Sequence, residues 1–558
     1  MVKKILQFLE KEVGGLHQAA YLLAFFALLS QILGLVRDRL LAHTFGAGET
    51  LDLYYAAFRI PDFIFVTVGS LVSLSVLVPF LIERREKGKE QEKDLINGFF
   101  SFFCFLIFFV SSIAFFLMPY LIPFVFPGFP KEHISELIFL SRLLLFSPII
   151  LGFSNLFGSI AQAHHRFFVY AIAPVLYNFG IVVGIIFFTP FYGVTGVVLG
   201  VVLGAIFHAL IQLPVIISQG LIPQFSFSFD FSSIKKIVLL SLPRTFTLAI
   251  SNLSILFLLA LASLEREGSI SIFNFSFNLQ SVPLSIIGVS YSLAAFPTLA
   301  RLFSNGEQKQ FLEHIRESAR HIIFWSIPFT ILFIVLRAQI VRVILGSGQF
   351  DWFDTRLTAA ALALFAISCV FQSLTLLLVR GYYSAGKTLK PLLISLLGGG
   401  LTVFSAFFLI DVFKTSPVFQ FFIESLLRVE DISGTEILIL PLAYSIGSIF
   451  TGLALWISFE RDFNRFSQPL FTTFFHIFSA SVLMGFYSYL SLNIFSGIFD
   501  IQTFTGIFMQ GLLSGIIGIT IGIFVLQLLE NNELKEITKA LKQKIWKVKA
   551  ISPDTDLV

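Results

Sequence analysis

Apolar residues run along this chain in long unbroken blocks, and charged residues fall mostly in the gaps between them. A helix needs roughly 20 mostly apolar residues to cross about 30 Å of hydrocarbon, and about fourteen blocks meet that length. They lie near 18–43, 52–82, 97–126, 136–162, 167–189, 191–217, 234–263, 269–300, 319–345, 355–380, 390–413, 436–459, 468–495 and 503–530. A membrane barrel would instead show alternating segments of about ten residues. The blocks are continuous, so the pattern predicts an all-α polytopic membrane protein.

Composition agrees. Of 558 residues, 56% are hydrophobic and 13% charged, against about a quarter charged in a soluble domain. The 71 phenylalanines are read as packing and lipid-facing bulk. Cys104 and Cys369 both sit in apolar runs, which predicts neither a disulfide framework nor a metal site. The first residues, MVKKILQFLEKEVGGLHQ, are amphipathic and broken by charge, with no small-residue cleavage site after them. The first span is therefore expected to remain in the protein. A net charge of +4 gives no reason to expect nucleic acid.

The connections alternate in charge. One set comprises 81–94, 163–167, 232–236, 300–320, 380–390, 460–465 and the tail after Glu530; the other comprises 42–50, 127–133, 189–193, 264–269 and 345–355. Roughly 26 Lys and Arg fall on the first side and fewer than about ten on the second, so the positive-inside rule puts both termini in the cytoplasm. An even number of spans requires the same. The tail stretch ELKEITKALKQKIWKVKA (533–550) is basic and amphipathic, and is expected to rest on anionic headgroups. The insertion at 416–434 is expected to form a short interfacial helix.

The chain also resembles itself at a shift of about 220 residues. The 76–103 stretch aligns with 294–323, setting Pro79 over Pro297, and 154–174 aligns with 374–395. Six spans fall on six spans in the same direction, as in transporters built from two parallel lobes with substrate between them. This divides the chain into an N-lobe (1–230), a C-lobe (231–465), two added spans (466–530) and a basic cytoplasmic tail (531–558). There is no Walker loop, HExxH or GxSxG in a plausible context, so an enzyme is not expected. Energy would then come from an ion gradient or the membrane potential. His208 and His476 are read as structural, with proton transfer as the alternative; the His164–His165 pair is read as solvated or headgroup-facing.

Ionisable residues inside spans carry the functional question, because they are costly there. LGLVRD (33–38), HTFGAGETLDLYYAAFRIPD (43–62) and VLVPFL (76–81) resemble the opening of the MurJ/MviN family of lipid II flippases. This family falls within the multidrug/oligosaccharidyl-lipid/polysaccharide exporter superfamily. The likeness continues at 125–150, 161–181, 340–362 and 380–394.

The resemblance implies two six-helix lobes around a cationic cavity, with the last two helices forming a groove for a polyprenyl tail. It implies transport of a diphosphate-linked disaccharide-pentapeptide from the inner to the outer leaflet of the bacterial cytoplasmic membrane, for peptidoglycan synthesis. A monomer is expected, without cofactor or bound metal. Arg37 matches the family's first-helix cavity arginine, Asp38 its acidic neighbour and Asp52 the aspartate opening the second helix; Arg59 stands where a basic residue precedes the proline. Guanidinium groups suit a diphosphate, since they fork onto its oxygens and stay charged. Arg37 and Arg59 are expected to meet substrate, the alternative for Arg37 being an interfacial ion pair that snorkels. Asp38 and Asp52 are expected to orient these arginines or to gate the cavity. Arg39 is expected to face headgroups and Arg142 to be structural, whereas Arg244 either touches substrate or snorkels. Pro61 and Pro79 match helix breaks of the family; Pro283 and Pro297 are candidate breaks in the second half.

The departures count equally. Gln31, Phe65 and Ser70 stand where the family has arginine, arginine and glutamate, and Asn278 stands in place of its eighth-helix arginine. No acidic residue in the seventh span, or deep in the eleventh, rebuilds the sodium site of some members; Asp411 lies too near the outer end. Each lost charge-assisted contact weakens diphosphate binding by roughly 1.5–3 kcal/mol. The substrate expectation therefore keeps alternatives open: lipid II, another polyprenyl-diphosphate glycan, an amphiphilic small molecule, or a non-transporting scaffold.

Overall fold

A computed structural model describes residues 16–69, 74–226, 231–463 and 466–546. In chain order the helices are α1 (Leu16–Phe45), α2 (Glu49–Ile64), α3 (Leu74–Lys87), α4 (Lys89–Val125), α5 (Lys131–Leu144), α6 (Phe146–Ala163), α7 (Phe167–Val183), α8 (Thr189–Tyr192), α9 (Val194–Leu210), α10 (Leu213–Gln219) and α11 (Phe231–Ala262). They continue as α12 (Ser269–Pro283), α13 (Ser290–Ser304), α14 (Gln308–Val335), α15 (Arg337–Leu345), α16 (Trp352–Ala366), α17 (Cys369–Ser384), α18 (Leu389–Thr415), α19 (Pro417–Leu427), α20 (Ile439–Phe463), α21 (Gln468–Ser496), α22 (Phe504–Leu528) and α23 (Asn532–Trp546). The protein is an all-helical polytopic membrane protein.

Among the described residues eleven helical segments are long and apolar enough to cross a membrane, or twelve if α16 and α17, bent by 44°, form one span. These follow the expected blocks in order from 97–126 onward. The described residues of the first two blocks are also helical but stand outside that count. The described part of the first carries Arg37, Asp38 and Arg39, and residues 70–73 of the second lie outside the described residues.

Among the described residues three π-helical turns break the α pattern, at Phe65–Gly69, Gly184–Phe188 and Leu284–Val289. The first and third each follow a proline, Pro61 and Pro283. Proline removes a backbone donor and crowds the preceding turn, which favours the wider winding just beyond. Pro297 lies inside α13 and is exposed. Pro79 falls within α3, but its side chain lies outside the described residues.

By contacts the chain forms two compact units, whose boundaries pass through the spans at Val282/Pro283 and Phe365/Ala366. The first unit runs to Val282 and includes Ile344–Phe365 and Lys387–Thr451. Its tightest pairing is α7 with α9. A Cβ on Gly180 would strike the backbone of Gly204, one on Gly184 that of Gly200, and one on Gly196 that of Phe188. Small residues let membrane helices approach to backbone contact, where dispersion replaces the missing hydrophobic drive. The same device joins α18 to α20, through Gly398 against Thr451 and Gly447 against Thr402.

The second unit comprises Pro283–Val343, Ala366–Gly386 and the chain from Gly452. Here α21 packs on α22 through Gly518 against Ser488, and α14 runs beside α21. The start of α23 is pinned by the buried carboxylate of Glu533, which accepts from Thr473 Oγ1 at 2.9 Å and from Asn531 Nδ2 at 2.8 Å. Arg320 lies 3.9 Å from the same group. Lys535 and Lys539 on α23 are exposed.

Large apolar side chains point outward along the spans; Phe116, Tyr120 and Phe124 on α4 are about three-quarters exposed or more (73%, 77% and 84%). That is where lipid chains belong. α19 is a short apolar helix whose Glu424 is buried and accepts from Thr435 Oγ1 at 2.6 Å.

Candidate substrate site and the helix-start clasp

Every contact below lies within the first unit. Arg37 sits late in α1, where the apolar run gives way to charge. Its Nε and Nη2 donate to Asp38 Oδ1 at 3.0 and 2.8 Å, and its Nη1 donates to Asn178 Oδ1 on α7 at 3.0 Å. Asn178 is oriented in turn by its amide, which donates to Ser30 Oγ at 3.2 Å. The other oxygen of Asp38 accepts from Asn278 Nδ2 on α12 at 3.1 Å. One chain of hydrogen bonds thus joins α7, α1 and α12 through Asn178, Arg37, Asp38 and Asn278. The guanidinium is compensated where it stands. Asp38 is buried and Arg37 partly open, at 4% and 22% side-chain exposure, so the arginine is the member a ligand can reach.

Asp52 lies at the start of α2 and is buried. Oδ2 accepts from the backbone N–H of Gly268 at 2.7 Å; Oδ1 accepts from the backbone N–H and hydroxyl of Ser271 at 2.7 and 2.6 Å. A helix begins with unpaired N–H groups and the positive end of its dipole. A carboxylate from another helix here does what an N-cap side chain does locally. The surrounding chain is equally close. A Cβ on Gly268, at φ +87°, would strike the carbonyl of Ala47, and one on Gly348, at φ +59°, the carbonyl of His43. Ala47 N–H donates to Asp354 Oδ2 at 3.1 Å, Gln349 N–H to the His43 carbonyl at 3.0 Å, and Arg39 to the Ile344 carbonyl at 3.1 Å. Arg39 therefore binds protein backbone. The starts of α2, α12 and α16 form a clasp with the end of α1.

Arg59 and Asn274 are hydrogen-bonded, the guanidinium Nη2 donating to the amide oxygen; Asn274 also donates to the Ile270 carbonyl at 2.7 Å. The buried Nε of Arg59 has no partner. Asn274 and Asn278 are one turn apart and so share a face of α12. Arg142 donates to the Phe115 carbonyl at 3.0 Å. The Arg244 side chain and Ser70 lie outside the described residues. Among the described residues no group of three or more His, Cys, Asp or Glu could hold a metal ion.

The site residues brought together are Arg37, Asp38 and Asn278 in one network and Asp52 in the clasp, with Arg59 beside Asn274. Sequence reasoning omitted Asn178, Asn274, Gly268 and Ser271. A signal existed for the asparagines, since a polar residue inside an apolar run needs a partner; the backbone donors had none.

Comparison with known proteins places the fold. A family model described as "Lipid II flippase MurJ" matches residues 41–418. The "Probable lipid II flippase MurJ" of Thermotoga maritima is 28% identical over 378 residues, covering 67% of this chain and 75% of that protein. The "Lipid II flippase MurJ" of Burkholderia cenocepacia is 22% identical over 391 residues, covering 68% and 76%. A structure titled "Lipid II flippase MurJ, inward closed conformation" superposes with a TM-score of 0.71 at 22% identity, covering 93% of this chain and all of that one (100%). An inward-facing multidrug resistance MATE family transporter of the MOP superfamily gives 0.63 at 13% identity, covering 80% and 99%. These two likenesses concern fold.

Proposed function

This chain belongs to the lipid II flippase MurJ family, a family of transporters rather than enzymes, and on that premise we propose that it moves lipid II from the inner to the outer leaflet of the cytoplasmic membrane by alternating access. The family match carries the reading. The Arg37 network supports it: a partly exposed guanidinium held by Asp38 and Asn178 is a preorganised seat for a diphosphate. Asp38 and Asp52 then act on geometry rather than on the anionic substrate. Asp38 holds Arg37 to α12, and Asp52 keeps the clasp shut.

In this reading the chain works as lobes 1–230 and 231–465, the spans of 466–530 carry the lipid tail, and both termini face the cytoplasm. The clasp then lies on the outer side, with the loops poor in Lys and Arg. The drive is the membrane potential, worth about 2.3 kcal/mol per charge per 100 mV, or an ion gradient. Proline-linked breaks at Pro61 and Pro283, with Pro79 and Pro297 beyond them, supply the bending. Arg244 remains a candidate substrate contact on sequence grounds alone.

A second reading has its own observation. Gln31, Phe65 and Asn278 are neutral where the family is charged, and Asn278 is spent on Asp38. This favours a cargo with fewer phosphate contacts: another polyprenyl-linked glycan or an amphiphile. A non-transporting scaffold is the third reading, and it gives Arg37 no reason to stay partly open. The deciding experiment is complementation of a flippase-depleted bacterium, with lipid II exposure on the outer leaflet as the measurement. Rescue supports the first reading; a properly inserted protein that fails to rescue removes it.

A further inference from the structure

We propose that α19 is a lipid anchor. Its outward face of Val418, Phe421, Phe422 and Leu426 lies at the boundary between headgroups and acyl chains, in the leaflet on the side of the clasp. The proposal rests on the chain spanning a bilayer and on nothing about its cargo. The sequence suggests a short helix within 416–434, but not which of its faces meets lipid.

α19 is amphipathic in an inverted sense. Val418, Phe421, Phe422 and Leu426 share one helical face by their spacing, and they are exposed at 80%, 65%, 57% and 60%. The polar residues lie on the opposite face, turned toward the protein. Gln420 Nε2 donates to Glu424 Oε1 at 3.0 Å, and the Thr435 hydroxyl donates to the same oxygen at 2.6 Å. Glu424 is buried there with Ile423 and Leu427. A helix lying against water turns its polar side chains outward and buries its phenylalanines; the informative departures are a buried polar group and an exposed apolar patch. α19 has both. Its arrangement is that of a helix whose outer solvent is hydrocarbon.

The adjoining surface identifies lipid as the occupant. α18 leads into α19 through Ser416, whose hydroxyl caps α19 by accepting from the Phe419 N–H at 3.4 Å. α18 is long and apolar enough to cross a membrane, and its Phe404, Phe407 and Phe408 are exposed. The α19 stripe continues that lipid-facing surface. With 11 residues, α19 is about 16 Å long, too short to cross roughly 30 Å of hydrocarbon. Charge marks the edge of the apolar zone on both sides of it, with Lys414 exposed before α19 and Glu430 and Asp431 exposed after it.

The face is also presented on a fixed mount. Arg356 of α16 donates to the Arg428 carbonyl at 2.6 Å and grips Asp431. Arg266 donates to Ser433 Oγ at 2.7 Å, and Lys414 Nζ lies 3.0 Å from Glu265. Glu265 and Arg266 closely precede Gly268, whose N–H meets Asp52. Arg356 closely follows Asp354, which receives the Ala47 N–H. Both ends of α19 are thus bonded to the segments that build the clasp, and all of these contacts lie within the first unit.

The test measures depth in the full chain, in nanodiscs of phosphatidylethanolamine and phosphatidylglycerol, with Cys104 and Cys369 replaced by alanine. A nitroxide is attached through Val418→Cys, Phe422→Cys or Leu426→Cys. Its collision rates with oxygen, which concentrates in lipid, and with a water-soluble nickel chelate are compared as a ratio. Phe408→Cys on α18 gives the lipid reference and Glu430→Cys the aqueous one. The expected result is an oxygen-to-chelate ratio at all three α19 positions that is well above the value at 430 and close to the value at 408. Ratios matching position 430 would put the face in water and overturn the proposal. Shielding from both reagents would overturn it equally, since a second copy or another protein would then cover the face. The readout needs no lipid II, so absence of lipid II transport in the same preparation would count against the flippase reading alone.

Discussion

The Asp52 carboxylate receives both the backbone N–H and the hydroxyl of Ser271, at 2.7 and 2.6 Å, so the first turn of one helix is capped by the first turn of another. With the Gly268 N–H at its second oxygen, both oxygens of the carboxylate are engaged in the clasp. Asp52→Ala leaves three donors unpaired, and hydrogen bonds to a charged group are worth roughly 1.5–3 kcal/mol each. The expected outcome is an opened clasp. A cysteine placed at position 47 should become more reactive to a polar thiol reagent in Asp52→Ala than with Asp52 in place. Unchanged reactivity would mean that the clasp holds without Asp52.

Arg37 is the reachable member of its network. Arg37→Ala is expected to abolish translocation while expression and insertion stay normal. Arg37→Lys should recover only a small part, because an ammonium cannot reproduce the fork that meets Asp38 and Asn178 together. Translocation by Arg37→Ala at the parent rate would remove Arg37 from the substrate site.

Asn278 offers the converse change. Asn278→Arg places a second guanidinium at Asp38, one helical turn from Asn274. Affinity for a soluble diphosphate analogue should rise about tenfold or more, from one added charge-assisted contact of roughly 1.5–3 kcal/mol. Isothermal titration is the measurement, and an unchanged Kd would argue that position 278 does not face the ligand.

At the start of α16, Arg356 Nη2 and Nη1 grip Asp431 of the connection after α19 at 2.5 and 2.8 Å, and this holds the Asp431 carboxyl below its ordinary value of 3.8. A carboxyl depressed on folding stabilises the folded form above its unfolded pKa, and that stabilisation is lost as pH falls through the folded value. The 428–434 segment should therefore keep its exchange protection at neutral pH and lose it only in acid below 3.8. Asp431→Asn should show the loss at neutral pH already.

Glu533 anchors the start of α23. Glu533→Ala strands Thr473 and Asn531 and should release the start of α23, at roughly 1–3 kcal/mol for the unpaired buried groups. Faster exchange over 531–539 in the full-length protein is the expected reading.

Much of this was legible in the sequence, and for physical reasons. A bilayer demands length and apolarity from each span, so the blocks from 97–126 onward announce themselves. Arg37–Asp38 stood out because charge beside an apolar run is costly. Asp52 could be singled out, but not its function: its partners are backbone groups more than 200 residues away, and backbone carries no letter in a sequence. Asn178 was overlooked because a lone amide in an apolar run has many uses, and only the fold shows Arg37 opposite it. Arg39 reads as a headgroup contact until the Ile344 carbonyl is seen within reach.

The π turns at Phe65–Gly69 and Leu284–Val289 carry a consequence for how such chains tolerate change in length. A π turn holds about one residue more than an α turn. Deleting one residue there returns the segment to ordinary winding with its hydrogen bonds intact, whereas the same deletion elsewhere in a span leaves no slack to absorb it. The rotational cost is small, since an α turn completes the same rotation with one residue fewer and leaves the helix beyond nearly in phase, whereas a deletion in an α stretch swings everything beyond it by about 100° and draws it back about 1.5 Å. Slack in length at constant phase is what these two turns supply, and a one-residue deletion at either would leave a fully helical span facing its present neighbours.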